Sequence, residues 1–309
     1  MEFRHANSEE QAVAWLAEHG DATCVVAGGT DVMMQYARGE LAPDAFLYIG
    51  GIAPLAAVGN GAASRFGTLV THRLLARDPL IRRRHPALAE AAATVGGWQT
   101  QSVGTLGGNL CNASPAADAA APLLVADAVV ELSGARGIRR LPLQDFLLGR
   151  RTVDRRPDEL LTAVEAMPAG PATGEVYLKV GRRGAMVVAV AGLALRLTFD
   201  GTGRVRDARL ALCSLAPVPA RAPQAERILT RGGATAQAVR DAAAALQREI
   251  SPIDDSRASA AYRRLVLCGL LERAVACCRS RAHGAAGAPG VVPPVSTQRQ
   301  PSEGAARDR

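Results

Sequence analysis

Lysine is almost missing from this chain. Of the 36 basic residues among 309, 35 are arginine, and the single lysine is Lys179. Together with abundant alanine, this bias points to a GC-rich coding sequence in which arginine has replaced lysine wherever the two are interchangeable. The surviving lysine then marks a position where a guanidinium does not serve. Aromatic residues make up only 4%, too few for a platform on which the bases of single-stranded nucleic acid stack. Long apolar runs are also missing. The longest, Ala185 to Leu195, has 11 residues, against the roughly 18 that read as a membrane span. The opening Met-Glu-Phe-Arg-His lacks the apolar core of a secretory leader, so a cytoplasmic location is expected. Metal-ligand spacing is absent as well. The six cysteines (Cys24, Cys111, Cys213, Cys268, Cys277 and Cys278) contain no C-x-x-C pair, which argues against zinc and Fe–S ligation here and leaves them as small buried hydrophobes. The five histidines, His5, His19, His72, His85 and His283, have no nearby Ser/Asp or Cys partners in the pattern of a nucleophilic dyad or triad.

What is present reads as globular. The chain is 48% hydrophobic and 21% charged, with a mean hydropathy of +0.06, and at about 150 residues per domain its length implies two domains. The net charge of +7 is spread over arginine pairs with acids between them. These read as solvated faces, not as the basic stripe of a nucleic-acid binder.

Ser8-Glu9-Glu10-Gln11 is a capping box, and Gly20 ends its helix. The β-branched run Thr23 to Val26 predicts a strand that stops at Ala27-Gly28-Gly29-Thr30-Asp31, followed by a short helix from Asp31 to Arg38. Phe46 to Ile49 predicts a further strand, and Asn60-Gly61 a hairpin turn. Thr71 caps a short helix, and Pro86 to Val95 is an Ala-rich one. Gly96 to Asp118 reads as a polar, Gly-rich stretch, 119–126 as helix, and Val129 to Leu132 and Leu160 to Val164 as strands. Pro168 to Gly174 carries boundary composition. Beyond it, Glu175 to Val180, Val187 to Phe199 and Val205 to Leu215 predict an antiparallel meander. Helices over Gln224 to Leu229, Thr235 to Ile250 and Arg257 to Arg279 follow, with a disordered tail from Ser280.

Two segments point to a ligand. In the strand–Gly-Gly-Thr-Asp–helix unit, glycine lets the backbone approach closely, and successive N–H groups can cradle an anion. Neither G-x-G-x-x-G nor G-x-x-x-x-G-K-[ST] is present. The second segment, Ser102 to Asp118, interleaves three glycines with small hydrogen-bonding residues. Long loops of this kind inside a domain usually bind something. The pair suits a ligand with a central pyrophosphate and two polar ends.

Val25-Val26-Ala27-Gly28-Gly29-Thr30-Asp31-Val32 and Gly104-Thr105-Leu106-Gly107-Gly108-Asn109 resemble the two FAD-binding loops of the molybdenum hydroxylase flavoprotein subunit. This is the medium subunit of carbon monoxide dehydrogenases and the FAD domain of xanthine dehydrogenases. Tyr177-Leu178-Lys179 with Arg182-Arg183, and Asp254 to Arg263, resemble later segments of the same family, so the likeness covers about residues 1 to 276. It implies an α+β fold of the vanillyl-alcohol-oxidase (PCMH) type. Two small α/β subdomains over 1–170 would be followed by an antiparallel sheet plus helices over 171–279, with a tail over 280–309. It implies that Val25 to Val32 wrap the pyrophosphate and that Thr105, Leu106, Gly107, Gly108, Asn109 and Asn112 form a second wall. Asp118 would meet the adenosine end, Leu161 would lie along the flavin or adenine, and Lys179 would reach the flavin's polar edge. A Cβ at Gly28 or Gly107 would crowd the pyrophosphate or demand a forbidden φ.

Three departures stand out. Gln99-Thr100-Gln101-Ser102 replaces the frequent Gln-Ile-Arg-Asn, so an arginine contact is lost. An acid usual after the lysine strand is missing from Ala185-Met186-Val187-Val188. The cysteine-bearing insertion of the 4-hydroxybenzoyl-CoA reductase branch is absent. The resemblance implies an oxidoreductase subunit that is active only in a complex. FAD would sit on this chain, 2Fe–2S clusters on a small subunit and the molybdopterin cofactor on a large one, assembled as a dimer of heterotrimers. NAD, quinone or oxygen would be the acceptor. Asp118 and Glu159 read as a ligand acceptor and a surface acid, not as a catalytic pair. A self-contained FAD oxidase of the same superfamily and a module that has lost FAD are the alternatives.

Overall fold

The computed structural model describes residues 1–184 and 186–284. Most of the expected tail lies outside the described residues.

The first unit alternates strand and helix: β1 (Glu2–His5), α1 (Glu9–His19), β2 (Thr23–Val26), α2 (Val32–Ala37) and β3 (Ala45–Tyr48). Its three strands form a parallel sheet in the order β1-β3-β2. Ser8 caps α1 by accepting from Gln11 N–H, as the capping box predicts. Gly39, with φ 68°, turns the chain after α2.

A hairpin of β4 (Val58–Asn60) and β5 (Ser64–Gly67) leads into five short helices: α3 (His72–Arg77), α4 (Pro79–Arg84), α5 (Pro86–Ala93), α6 (Trp98–Val103) and α7 (Leu106–Cys111). The last two lie inside the stretch expected as loop. Thr105 supplies a side-chain cap to Gly108 N–H, so a glycine-rich turn becomes helical. Next come α8 (Ala120–Val125), β6 (Val129–Gly134), β7 (Gly137–Pro142), α9 (Leu143–Phe146), β8 (Leu147–Gly149), β9 (Thr152–Val153) and β10 (Glu159–Ala166). β10 sits at the centre of a five-stranded antiparallel sheet ordered β4-β5-β10-β6-β7. β7 escapes a pattern reading because its middle is Arg139-Arg140. These are not free charges. Arg140 pairs with Glu131, and Arg139 with Asp154 and Glu159.

The C-terminal part is a meander of β11 (Thr173–Val180), β12 (Ala191–Phe199), β13 (Val205–Cys213) and the short β14 (Ala220–Arg221), covered by α10 (Pro223–Gly232), α11 (Ala236–Glu249) and α12 (Ala260–Ala282). The second strand begins four residues later than expected, and α12 runs three residues past Arg279. Alternation assigns the faces of β12. Leu193, Leu195 and Leu197 join the core shared with α10 to α12, while Ala194 faces the core of the N-terminal part. The small side chains Ala194 and Ala211 let α8 lie close against this sheet.

A polar seam also crosses the junction. Arg196 and Glu175 are both buried and paired at 2.7 Å, and Arg196 also donates to the Met167 carbonyl at 2.8 Å. Glu90 of α5 accepts from Tyr177 N–H at 2.9 Å and pairs with Arg281 of α12. Among the described residues, no helix is long and apolar enough to cross a membrane.

Two histidines are buried in this fabric. His85 lies against Ser64 Oγ at 2.8 Å, and burial, with Arg196 and Arg84 nearby, pushes it down to about 3. Burial pushes His72 down to about 4. Both stay neutral in the native state while their unfolded counterparts gain protons below about 6.5. The unfolded state then binds more protons, so full stability is present above pH 6.5 and falls with acidification through the window down to these depressed values. We expect a loss on the order of 1.4 kcal/mol per pH unit per histidine across pH 6 to 4. Urea unfolding at pH 7 and pH 5 checks this. His85→Gln should flatten the slope relative to wild type.

Candidate functional site

The first wall is the end of β2 and the turn into α2. Val26 is buried in packing, after which the chain exposes Ala27 to Val32 to a cleft of about 1010 Å³. Gly29 has φ 67°, the left-handed conformation that glycine adopts without penalty. The helix takes its first bonds from Met33 N–H to Gly29 O and Gln35 N–H to Asp31 O. The amides of Gly28, Gly29, Thr30 and Asp31 have no protein acceptor among the described residues. Burial pushes the Asp31 carboxyl up, against the pull of Arg151.

The second wall is built by pinning α3 and α7 together at their starts. Thr71 bridges Thr105, His72 N–H donates to Gly104 O at 3.1 Å, and Leu106 and Gly107 N–H groups donate to Val70 O and Thr68 O at 2.9 Å. A Cβ at Gly28 would strike the Val103 carbonyl, and one at Gly107 the Thr68 side chain. These glycines are therefore required by the protein's own walls: one seats the first loop on the end of α6, the other seats α7 on the 68–72 segment. Neither glycine has a positive φ, so the forbidden-φ half of the expectation is corrected: the constraint on a Cβ here begins with contacts inside the protein. Gly108 is different, because a Cβ there approaches only Thr105 Oγ1, at 3.0 Å.

The walls are tied across the cleft. Gln35 of α2 donates to Asn112 Oδ1 at 2.8 Å, and Glu40 pairs with Arg151 at 2.6 Å. β10 supplies Glu159, Leu160 and Leu161 to the lining. Glu159 is buried, not the surface acid expected. Burial alone would raise its carboxyl, but Arg139 and the Arg156 N–H hold it below the usual range.

Of the residues the sequence singled out, Val25, Ala27, Gly28, Gly29, Thr30, Asp31, Val32, Thr105, Gly107, Gly108, Asn109, Asn112 and Leu161 line this cleft. Val26 and Leu106 are buried in the packing behind it. Asp118 and Lys179 are directed at each other, not into the cleft. Lys179 Nζ donates to Asp118 at 2.6 Å and to Thr94 O at 3.0 Å, while Tyr177 Oη donates to the other Asp118 oxygen at 2.5 Å. Their side chains are 5% and 7% exposed. Burial pushes the Asp118 carboxyl up while Lys179 and Tyr177 pull it down. Thr94 adjoins Val95, which does line the cleft, so the pair braces that wall from behind.

Sequence reasoning missed the lining residues Thr68, His72, Glu40 and Arg151 because they lie outside the glycine loops. The only local signal was Thr71 as a cap. Gln101, at the departure before the second loop, donates to Ala93 O and so ties α6 to the end of α5. Cys24 and Cys111 border the cleft as free thiols, and burial pushes Cys111 up to about 11. No cluster suited to a metal ion exists among the described residues.

The lining fits a dinucleotide. Four successive amides without a protein acceptor among the described residues belong to the loop that lines the cleft, and Asn109 Oδ1 is buried with no protein partner. The volume stands at the upper end of the roughly 300–1,000 Å³ typical of small-molecule sites.

Comparison with known proteins agrees. Residues 1–168 match the family described as "FAD binding domain in molybdopterin dehydrogenase", and residues 176–278 match "CO dehydrogenase flavoprotein C-terminal domain". The chain is 30% identical over 267 residues to the xanthine dehydrogenase FAD-binding subunit of Escherichia coli O157:H7, covering 84% of this chain and 90% of that protein. It is 31% identical over 272 residues to the glyceraldehyde dehydrogenase medium chain of Sulfolobus acidocaldarius, covering 86% and 93%. A chain of carbon monoxide dehydrogenase from Hydrogenophaga pseudoflava superposes with a TM-score of 0.87 at 28% identity, covering 91% of this chain and 98% of that one. With its α+β architecture, its paired glycine walls and family matches along both halves, the chain belongs to the FAD-binding flavoprotein subunits of the molybdenum hydroxylase family and is an oxidoreductase subunit.

Proposed function

We propose that this chain is the electron-transfer subunit of a cytoplasmic, multi-subunit molybdenum hydroxylase. Electrons would come from 2Fe–2S clusters on a small partner chain, after substrate oxidation at a molybdopterin cofactor on a large one. They would leave from reduced FAD to NAD, a quinone or oxygen, in a dimer of heterotrimers. We divide the chain into an FAD-binding domain over 1–170 and a C-terminal domain over 171–279. The observation that carries this reading is the cleft between the two glycine walls, which offers binding groups but no proton-transfer constellation. Relatives named as subunits and medium chains support the multi-subunit form.

Bound FAD supplies a store for two electrons that can be filled one at a time. The chain's own residues bind and orient it. The amides of Gly28 to Asp31 hold the diphosphate, and Thr105, Gly108 and Asn109 face it from the other wall. Leu160 and Leu161 exclude water on the β10 side. Gln35–Asn112 and Glu40–Arg151 keep the walls together. Lys179 and Asp118 act on the flavin through the wall they brace.

The purified single chain is expected to show flavin absorbance yet to oxidise no aldehyde, purine or N-heterocycle until a 2Fe–2S subunit and a molybdopterin subunit are added. Steady-state turnover with each subset of subunits measures this. Turnover by the chain alone, free of molybdenum and iron, would establish a self-contained oxidase instead.

A further inference from the structure

His72 is buried to 2% exposure, yet it lines the cleft and its Nδ1 has no hydrogen-bond partner. No protein group bonds either ring nitrogen among the described residues. A buried polar group left unpaired costs stability, and this ring, unlike other buried unpaired groups such as Glu175 Oε1, borders the cleft, where a ligand can meet it. The ring's position says what that is. Its backbone N–H holds Gly104 O, its Cδ2 borders the Cβ position of Gly104, and Thr30 Oγ1 borders the same position. His72 therefore sits where the two glycine walls meet, beside the unbonded amides of Gly28 to Asp31.

We propose that His72 is a ligand-positioning residue of this site, donating a ring N–H to an oxygen of the bound dinucleotide's diphosphate. The inference rests on the FAD-binding reading and extends it to a side chain outside both loops. Burial holds the imidazole down at about 4, so it is neutral near pH 7 and has one N–H to give. A neutral donor suits its place beside the Gly28 to Asp31 amides, which are themselves neutral donors. It adds direction without burying a cation when the ligand is absent.

The proposal separates affinity from stability, which a packing role does not. Phenylalanine keeps the ring and removes the unpaired polar atoms, so H72F should be at least as stable as wild type without ligand. Its affinity for FAD should fall about ten-fold or more, as for a lost hydrogen bond to a charged group. H72Q keeps a donor and should recover part of that loss.

The experiment uses the full chain stripped of flavin, titrated with FAD by fluorescence quenching, with urea midpoints on the same samples. In the wild type, 15N NMR of the imidazole follows the ring directly, and FAD should shift one His72 ring nitrogen into the range of a donor to an anion. Wild-type affinity in H72F, or an unmoved ring resonance on saturation, overturns the proposal and leaves the family reading intact. So does an affinity loss that tracks a lower urea midpoint and is not relieved in H72Q. Wild type that takes up no FAD overturns both.

Discussion

Lys179→Met is expected to destabilise the chain by about 3–5 kcal/mol, the usual cost of stripping the partner from a buried charge. The Lys179 ammonium lies 2.6 Å from Asp118, and both side chains are nearly inaccessible. Without it, the carboxylate keeps only the Tyr177 hydroxyl, which cannot neutralise it. Urea unfolding at pH 7 gives the number. Adding Asp118→Asn to Lys179→Met should recover much of the loss, since the orphaned charge goes with it. If both single variants unfolded at the wild-type midpoint, the pair would not be closed in solution. Lys179→Met should also weaken FAD binding, because the released Thr94 carbonyl no longer fixes Val95 against the cleft.

The geometry explains why lysine survived at this one place. At depth the ammonium meets one carboxylate oxygen and one carbonyl. A guanidinium carries five N–H donors in a rigid fork and would leave most of them unpaired there. Buried Arg196 has more acceptors: its Nε and Nη2 donate to Glu175 at 3.1 and 2.7 Å, and Nη2 also donates to Met167 O at 2.8 Å. Sequence composition thus singled out Lys179 for a sound reason, but not its partner. Asp118 lies 61 residues away, and nothing local links the two.

The same limit runs through the fold. β2, α1 and the C-terminal meander were legible because caps, β-branched runs and alternation act within a few residues. β7 was not, since its arginines are matched by acids on other strands and across a loop. α6 and α7 were not, since glycine and small polar residues read as loop until the Thr105 cap and the bonds to Thr68 and Val70 are seen. The two glycine loops marked the walls of the cleft. The ties between the walls, Gln35 to Asn112 and Glu40 to Arg151, span 77 and 111 residues, so no spacing rule could find them.

Gly107→Val should abolish FAD binding, and it should do so by displacing a wall. The second residue of α7 donates its N–H to Thr68 O at 2.9 Å, and the added Cβ would collide with the side chain of that same threonine. Thr68 cannot withdraw freely, because its own N–H is bonded to Thr162 O of β10 at 2.9 Å. Overpacking of this kind costs about 1–3 kcal/mol before any ligand is considered. The helix must shift, and with it the Thr105 and Asn109 groups that face the cleft. Gly108→Ala separates this from direct crowding of the ligand. Its Cβ meets only the Thr105 hydroxyl at 3.0 Å, so its unfolding midpoint should stay near wild type while its affinity falls. Visible flavin absorbance and urea midpoints on the same preparations distinguish the two. Gly107→Val should lose both colour and stability, Gly108→Ala colour alone. A Gly107→Val chain with an unchanged midpoint and full flavin would mean that α7 is not held to the 68–72 segment in solution.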